Sequence, residues 1–393
     1  MTSIERHEAR YQRRKAKREQ KRLEFIRQFL NVENVFSTQA LITSAKKCRK
    51  GVHWKSSVQS YFANLVRNSR RTSKAVLDGT WKTLGFHIFH IIERGKPREI
   101  KSVAFSERCL QRSLCDNFLV PILSHYLAYD NSATLPKKGT HFALKRLKKH
   151  LRWFIRRYGL QGYIFLFDFS KYFAHIDIEK LKILVDKYLP DSLMKDMYHT
   201  FINVFKGAGL GLGSQVSQIS AVFFANVLDH IIKDKLGIKC FARYMDDGYI
   251  ILNDLEEMKA VVNVIHEVCE SLGIKLNKKK TRIYKLTDNF RFLKKKMFIT
   301  DTGKIIFRVS RDVMKKERTR LRKFKHLLDA DKMTYCEIVN AFQSWARSLI
   351  NGHNFNILYN MIRYFNKIYQ TQYKVTTKKK GGYKTLRYLA NIA

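Results

Sequence analysis

Three aspartates in the sequence stand where paired strands could bring their carboxylates together. Asp168 ends the apolar run YIFLFD, and Asp246 and Asp247 separate two strand-like runs, 238–243 and 248–253. This pattern predicts a β-hairpin with the aspartate pair at its tip. Hard divalent cations prefer carboxylate oxygens. If the strands lie side by side, the three carboxylates converge on a site for two cations roughly 4 Å apart, an arrangement suited to phosphoryl transfer.

Each aspartate also has a purely structural explanation. Aspartate suits turn geometry, so a pair in a hairpin turn is common without any function. Asp168 could cap a helix, because the sequence FDFSKYF leads towards one. The metal-site hypothesis therefore depends on the rest of the chain.

Charge is the strongest compositional signal. The 76 Lys and Arg residues against 33 Asp and Glu give a net charge of +43. Such an excess repels itself unless a polyanion neutralises it, which favours a nucleic-acid partner and salt-sensitive binding. A ribosomal or chromatin-like binder and a basic protein at a membrane surface share this charge and remain alternatives at this point.

Length and composition set further limits. The 393 residues suggest two or three packed domains, and 45% hydrophobic residues are ample for a core. The six cysteines form no CxxC pair and no zinc-ligand cluster, so we expect reduced thiols, mostly in the core. No apolar stretch reaches membrane-spanning length, and the polar N-terminus lacks a secretory signal. A cytoplasmic protein without a membrane partner is expected.

Hydrophobic spacing predicts the elements that would position the aspartates. Residues 5–30 read as a basic helix, which serves equally well as a nucleic-acid contact or a solvated face. The remaining predictions are helices over 31–90, 106–127, 141–158 and 254–272, a strand pair over 85–105, a glycine-rich loop leading into a long helix after 209, a hairpin over 291–310, and a mostly helical remainder over 311–393 with a basic tail.

Six motifs in a fixed order resemble those of the prokaryotic reverse transcriptases, the superfamily of group II intron, retron and diversity-generating enzymes. The resemblance covers about residues 85–310. The motifs are KPREI…SERCLQRSLCDNFLVPIL (96–123), YDNSATLPKKGTHFALKRL (129–147), FDFSKYFAHID (167–177), GLGLGSQVSQ (209–218), ARYMDDGYI (242–250) and LGIKLNKKKT (272–281).

The resemblance implies an α+β, right-hand polymerase fold with an antiparallel palm sheet and an α-helical thumb. Its expected domains are a basic helical N-terminal extension (1–84), fingers (85–160, with part of 178–210), a palm (161–310), and a helical thumb with a basic tail (311–393).

The resemblance also implies a metal site. Asp168 and Asp246 would ligate two Mg²⁺ ions, with Mn²⁺ as a substitute, and the carbonyl of Phe169 would complete the shell. Asp247 would support the site from the second position of the pair. All three aspartates are expected to be catalytic.

Nucleotide-binding residues follow from the same motifs. Lys96 and Arg98 match fingers residues that contact the triphosphate, and a guanidinium suits phosphate best. Phe173 falls at the aromatic steric gate that excludes a 2′-hydroxyl, and this role is favoured over that of a core aromatic. The other expected contacts are Gly213 and Gln215 beside the nascent base pair and Lys280 near the leaving pyrophosphate.

Two departures from the family pattern concern loop backbones. The primer grip reads Phe292, Leu293, Lys294, where Lys294 replaces a glycine. In the glycine-rich loop, Gly211 stands where the family usually has proline. Primer handling is therefore expected to differ from that of relatives.

The resulting functional hypothesis is an RNA-directed DNA polymerase that uses dNTPs and makes DNA on an RNA template. A dedicated noncoding RNA and a role in antiviral defence are favoured over a diversity-generating or prophage-borne enzyme. A template-independent or protein-primed polymerase and a pure RNA-binding module stay open, as does a homo-oligomer or a second protein partner.

Overall fold

A computed structural model describes residues 3–93, 95–205, 207, 209–349, 353–380 and 383–389. The helices are α1 (Ser3–Arg27), α2 (Val32–Phe36), α3 (Thr38–Cys48), α4 (Ser56–Ala63), α5 (Leu65–Leu77), α6 (Phe105–Leu114), α7 (Val120–His125), α8 (Thr140–Tyr158), α9 (Tyr172–His175), α10 (Ile178–Asp186), α11 (Leu193–Asn203), α12 (Gln215–Phe224), α13 (Asn226–His230), α14 (Leu255–Leu272), α15 (Arg311–Asp329), α16 (Tyr335–Arg347) and α17 (Phe355–Tyr369). Single π-helical turns at Cys115–Leu119 and Ile231–Lys235 extend α6 and α13.

The strands are β1 (Phe86–Glu93), β2 (Lys96–Val103), β3 (Tyr163–Asp168), β4 (Phe241–Tyr244), β5 (Asp247–Leu252), β6 (Arg282–Lys285), β7 (Phe290–Phe292), β8 (Lys295–Ile299), β9 (Ile305–Val309), β10 (Lys374–Lys380) and β11 (Tyr383–Leu389). The predicted strand before Asp168, the hairpin around the aspartate pair and the strand pair over 85–105 are all confirmed.

A four-stranded antiparallel sheet of order β4-β5-β3-β6 forms the centre of the molecule. Side chains alternate between the two faces of a strand. On β3, Phe165 and Phe167 enter the larger core with α10, α11 and α12, while Ile164 and Leu166 enter a second core with α8. Both faces are therefore buried, which explains the nearly continuous apolar sequence of β3 and β5.

A three-stranded sheet, β7-β8-β9, packs against the second core. The sequence analysis predicted one hairpin over 291–310, and β8 and β9 form that hairpin. The short strand β7 was missed, because three residues are too few to show a period of two.

The C-terminal region begins with three helices, α15 to α17, which share a core that includes Phe342 and Phe365. Trp345 stacks on Phe342 with ring centroids 5.8 Å apart and so packs against this core. The basic tail was not predicted to contain strands, yet β10 and β11 pair there. Val375, Thr376 and Thr377 are β-branched, a signal that the run of lysines obscured.

Two predictions from composition concern cysteines and membranes. Cys109, Cys115, Cys240 and Cys269 are buried free thiols, as expected, whereas Cys336 is exposed. Within the described part of the chain, no helix combines the length and apolar character that crossing a bilayer requires.

Candidate active site

Strand register places the three aspartates at one end of the central sheet. Asp168 lies directly opposite Asp247 in the β3–β5 pairing, and Tyr244 lies opposite Asp247 in the β4–β5 pairing. The backbone N–H of Phe169 donates to the carbonyl of Asp246 at 3.1 Å. The chain segment that follows β3 is thus tied to the tip of the β4–β5 hairpin, and the strands lie side by side, which is the condition that the sequence analysis set for the aspartates to converge.

The hairpin turn itself is unusual in its backbone. Met245 has φ of 58°, in the left-handed region that non-glycine residues seldom occupy. After the aspartate pair, Gly248 lies against the ring of Phe167, and a Cβ at Gly248 would come within 2.1 Å of that ring. Only glycine therefore fits directly after the aspartate pair.

Asp168 is held by two side chains from the loop after α14. Asn277 Nδ2 donates to Asp168 Oδ1 at 2.9 Å, and Lys280 Nζ donates to Oδ2 at 2.5 Å. The backbone N–H of Asn277 also donates to the carbonyl of Asp168 at 2.8 Å. Sequence reasoning assigned Lys280 but missed Asn277, although the motif LNKKKT contains both residues.

Burial and mutual repulsion perturb the acidic groups. Burial raises the pKa of Asp246, and the charge of Asp168 raises it further. Burial and the charges of Asp246 and Asp168 raise the pKa of Asp247 to about 7. Burial alone would lower the pKa of Lys280, but its hydrogen bond to Asp168 and the neighbouring carboxylates raise it. The site therefore carries negative charge that the protein compensates only in part.

A cavity of about 570 Å³ opens in front of these groups. Asp168 and Asp246 line one side of it, and Arg98 and Lys101 from β2 line another. Phe173 also lines the cavity, and it is only partly buried, whereas the preceding Tyr172 is buried in the core. The cavity thus combines carboxylates and cations with three aromatic residues, Phe169, Tyr172 and Phe173, of which Phe173 is the least buried.

The glycine-rich loop is fastened to the same cavity from two sides. The N–H of Lys101 donates to the carbonyl of Leu212 at 3.0 Å, and the N–H of Leu210 donates to the carbonyl of Phe173 at 2.8 Å. Sequence reasoning missed Lys101, although it lies three residues after Arg98 on the same strand. Side chains alternate between the two faces of a strand, so residues three apart are not expected on the same face. The strand pattern therefore gave no reason to place Lys101 beside Arg98.

Some predicted residues lie elsewhere. Gln215, at the start of α12, lines a neighbouring cavity with Arg112, and Gly213 packs against the backbone of Lys101 rather than lining the catalytic cavity. Lys96 begins β2, but its side chain lies outside the described part of the chain. The roles expected of these three residues stay predictions.

The predicted primer-grip residues form a tight turn between β7 and β8. Phe292 pairs with Lys295, so Leu293 and Lys294 are the two turn residues, with φ of 47° and 66°. The ring of Phe292 packs edge-on against Tyr249 of β5, with centroids 5.3 Å apart. This contact fixes the turn relative to the strand that begins with Asp247.

The donor set fits a hard divalent cation only in part. The carboxylates of Asp168 and Asp246 and the residue Phe169 line one cavity, and oxygen ligands of this kind suit Mg²⁺. Within the described ranges, however, no three His, Cys, Asp or Glu side chains form a ready metal-binding group. Both oxygens of Asp168 already accept hydrogen bonds from Asn277 and Lys280.

Comparison with known proteins extends these observations. Residues 93–296, just over half of the chain, match the family described as reverse transcriptase (RNA-dependent DNA polymerase). No curated protein sequence matches the chain.

Two similar solved structures are telomerases. One is telomerase from Candida albicans in complex with a TWJ fragment of telomeric RNA (14% identity, TM-score 0.47, covering 74% of this chain and 55% of that one). The other is apo telomerase from Candida tropicalis (12%, 0.44, 57% and 47%). The present chain thus spans about half the length of each. The predicted right-hand polymerase fold is confirmed. The chain belongs to the reverse transcriptase family.

Proposed function

We propose that this protein is an RNA-directed DNA polymerase that extends a 3′-hydroxyl with dNTPs. The observation that carries the proposal is the shared cavity of Asp168, Asp246, Arg98, Lys101 and Phe173. Carboxylates and cations line a space large enough for a nucleotide, and the partly exposed Phe173 borders it. A pure RNA-binding module has no need of this combination.

The reaction forms a bond between the primer 3′-oxygen and the α-phosphorus, and it breaks the bond from that phosphorus to the leaving pyrophosphate. Arg98 and Lys101 would orient the triphosphate, since guanidinium and ammonium groups both bind phosphate oxygens. Lys280 carries a proton at neutral pH, as lysines ordinarily do, and the nearby aspartates raise its pKa further. It is therefore a candidate donor to the pyrophosphate.

Two Mg²⁺ ions would be held by Asp168, Asp246 and the carbonyl of Phe169, supported by Asp247, and Mn²⁺ would substitute. When bound, such ions polarise phosphoryl oxygens and neutralise the charge of the leaving group. The raised pKa values of Asp246 and Asp247 support this assignment, because burial and then mutual repulsion disfavour their charged forms, and a bound cation would relieve both effects.

Phe173 is proposed as the gate that selects dNTPs. Phe173 lines the cavity and is only partly buried, while the hydrogen bond from the N–H of Leu210 to its carbonyl fixes the backbone. A ring in this position would leave no room for a 2′-hydroxyl. DNA is therefore the proposed product.

The proposed layout assigns residues 1–84 to an N-terminal extension, 85–160 with part of 178–210 to the fingers, 161–310 to the palm and 311–393 to the thumb with its basic tail. Gly213 and Gln215 are proposed to contact the nascent base pair, Lys96 the triphosphate, and Phe292, Leu293 and Lys294 the primer. The positive charge of +43 supports a large RNA partner as well as the DNA product.

We further propose that the protein copies a dedicated noncoding RNA and acts in antiviral defence. The basic helix α1, exposed along most of its length, supports an RNA scaffold. The lysine in the primer-grip turn supports an atypical primer. A diversity-generating or prophage-borne enzyme is the alternative biological role.

The test is to purify the protein with its bound nucleic acid, sequence the RNA, and supply labelled dNTPs with Mg²⁺, with and without RNase. One discrete RNA, with cDNA complementary to part of it, supports the proposal. Incorporation that survives RNase without a complementary template would instead establish an untemplated or protein-primed polymerase. Asp246→Asn should abolish synthesis and leave RNA binding nearly intact, and retained synthesis would contradict the metal assignment.

A further inference from the structure

A second groove lies along the solvent face of α8, outside the catalytic cavity. Its volume is about 580 Å³, and three aromatic and six basic side chains line it. The aromatic residues are Tyr129, Phe142 and Trp153. None of the described lining residues is acidic, and none also lines the catalytic cavity.

The two faces of α8 have opposite character. Ala143, Leu147, Leu151 and Phe154 are buried against the central sheet. The 19-residue helix carries seven Lys and Arg residues and no Asp or Glu. Because apolar residues occupy the buried face, the Lys and Arg residues lie on the rest of the helix surface. Binding a polyanion there would relieve their mutual repulsion.

The aromatic wall of the groove is held in place. Tyr129 is 66% exposed, yet Lys138 Nζ donates to its carbonyl at 2.7 Å and the guanidinium of Arg146 lies 5.2 Å from its ring centroid. Arg146 in turn pairs with the buried Asp130. Trp153, further along α8, is 40% exposed. Exposed rings with a fixed backbone are prepared for stacking at little entropic cost.

We propose that this groove binds a segment of single-stranded RNA separate from the segment being copied. Basic side chains that follow a phosphate backbone, interleaved with exposed rings, are the features that bind unpaired strands. Paired bases offer no face to a protein ring, so a duplex would use only the cations. The identification of the strand as RNA rests on the proposed function, but the binding itself requires no catalysis.

The first experiment tests the cations in an Asp246→Asn background, so that the result does not depend on polymerase activity. The groove variant combines Lys145→Gln, Lys149→Gln, Arg152→Gln and Arg156→Gln, all at exposed positions. The control removes four exposed lysines elsewhere: Lys46→Gln, Lys50→Gln, Lys187→Gln and Lys259→Gln. The probe is a fluorescein-labelled oligo(U) of about 20 nucleotides, long enough to cover one groove.

The groove variant is expected to bind oligo(U) at least about tenfold more weakly at moderate salt. The slope of log K against log salt concentration should become less steep by about 3, because four phosphate contacts are lost. The control, with the same change in charge, should lose much less. Equal losses in the two variants would mean that only net charge matters and would overturn the proposal.

The second experiment tests the rings. Tyr129→Ala with Trp153→Ala should weaken oligo(U) binding about tenfold or more and leave binding of a short RNA duplex unchanged. The control is Trp54→Ala with Tyr359→Ala, since both are comparably exposed rings elsewhere. Crosslinking with 4-thiouridine RNA should label peptides containing Tyr129 or Trp153. Absence of such peptides, or unchanged oligo(U) affinity, would overturn the proposal.

A third measurement separates the groove from the active site. In the otherwise wild-type protein, the ring variant should extend a short preannealed primer–template at an unchanged rate. Loss of that activity with intact oligo(U) binding would assign the rings to the catalytic site and overturn the groove. A wild-type protein without polymerase activity would refute the proposed function alone, because the binding measurements would still stand.

Discussion

The guanidinium of Arg243 donates a 2.7 Å hydrogen bond to the carbonyl of Met245 at the turn of the catalytic hairpin. Arg243 is fully buried, and its other nitrogens hold both carboxylate oxygens of Asp229 at 2.7 and 2.6 Å. A further bond reaches the carbonyl of Val222 at 2.9 Å. Because Met245 has a left-handed backbone, this contact supports a turn that its own sequence does not favour, and Arg243 acts as a positioning residue for Asp246.

Arg243→Lys should therefore lower kcat by at least about tenfold, because small misplacement of a catalytic group is costly. A lysine keeps the charge but cannot reach Asp229, Val222 and Met245 together. We also expect a loss of about 1–3 kcal/mol in the free energy of unfolding, from hydrogen-bonding groups left without partners. Steady-state kinetics well below the melting temperature, beside urea unfolding, would measure both.

The control for Arg243→Lys is Arg112→Lys, which alters another Arg–Asp pair, with Asp116, away from the turn. It should change kcat little. A normal kcat for Arg243→Lys with only reduced stability would show that Arg243 serves the fold and does not position the turn.

The raised pKa of Asp247 predicts a pH dependence of stability in EDTA. The folded-state pKa of about 7 lies above the usual value near 4, so the folded state binds more protons between these values. Stability is therefore greatest at low pH in this window and falls by a few kcal/mol as pH rises from about 4 through 7. Asp247→Asn should flatten this decline, as followed by urea unfolding between pH 5 and 8.

Added Mg²⁺ offers a second readout for Asp247. If cations relieve the repulsion among the carboxylates, Mg²⁺ should stabilise the wild-type protein more at pH 8 than at pH 5. A decline with the same slope in Asp247→Asn would show that another group causes the pH dependence.

The central sheet could be predicted because its sequence signals agree with one another. The apolar run before Asp168 and the two runs around Asp246 have the length of strands, and each of the three strands contributes residues to both cores. The convergence of the aspartates follows from strand pairing alone. Local periodicity and tertiary packing act in the same direction here.

Contacts between distant segments could not be predicted in this way. Asn277 reaches Asp168 across 109 positions, and Lys101 reaches Leu212 through backbone atoms. Neither contact follows from a local period, since each depends on how separate elements pack. The placement of Gln215 beside a neighbouring cavity has the same cause, because the rotation of α12 about its axis is fixed by tertiary contacts.

Substitution at Phe173 should change sugar selection. Phe173→Ala opens the cavity beside Asp168 and is expected to raise the incorporation of rNTPs relative to dNTPs by roughly 10- to 100-fold, the range over which shape discriminates small groups. Competition between labelled rNTPs and dNTPs on one primer–template measures the ratio. Phe173→Tyr is the control and should retain selection for dNTPs. An unchanged ratio in Phe173→Ala would leave Phe173 as a core aromatic.

The primer-grip turn allows a prediction in the opposite direction, towards greater stability. Lys294 has φ of 66° in a two-residue turn whose other residue also has positive φ. Such turns favour glycine, because a left-handed backbone costs other L-residues about 1 kcal/mol or more. Lys294→Gly should therefore raise the free energy of unfolding by about 1 kcal/mol, as measured by urea unfolding.

Lys296→Gly is the matched control for Lys294→Gly, because it removes the same exposed side chain two residues later, inside β8. Glycine within a strand loses backbone entropy and side-chain packing, so this variant should be destabilised. Destabilisation of both variants would show that the side chain of Lys294 contributes more to the hairpin than its backbone strain costs. In that case the side chain of Lys294 stabilises the turn, and the lysine at this position makes the hairpin more stable than the glycine usual in the family would.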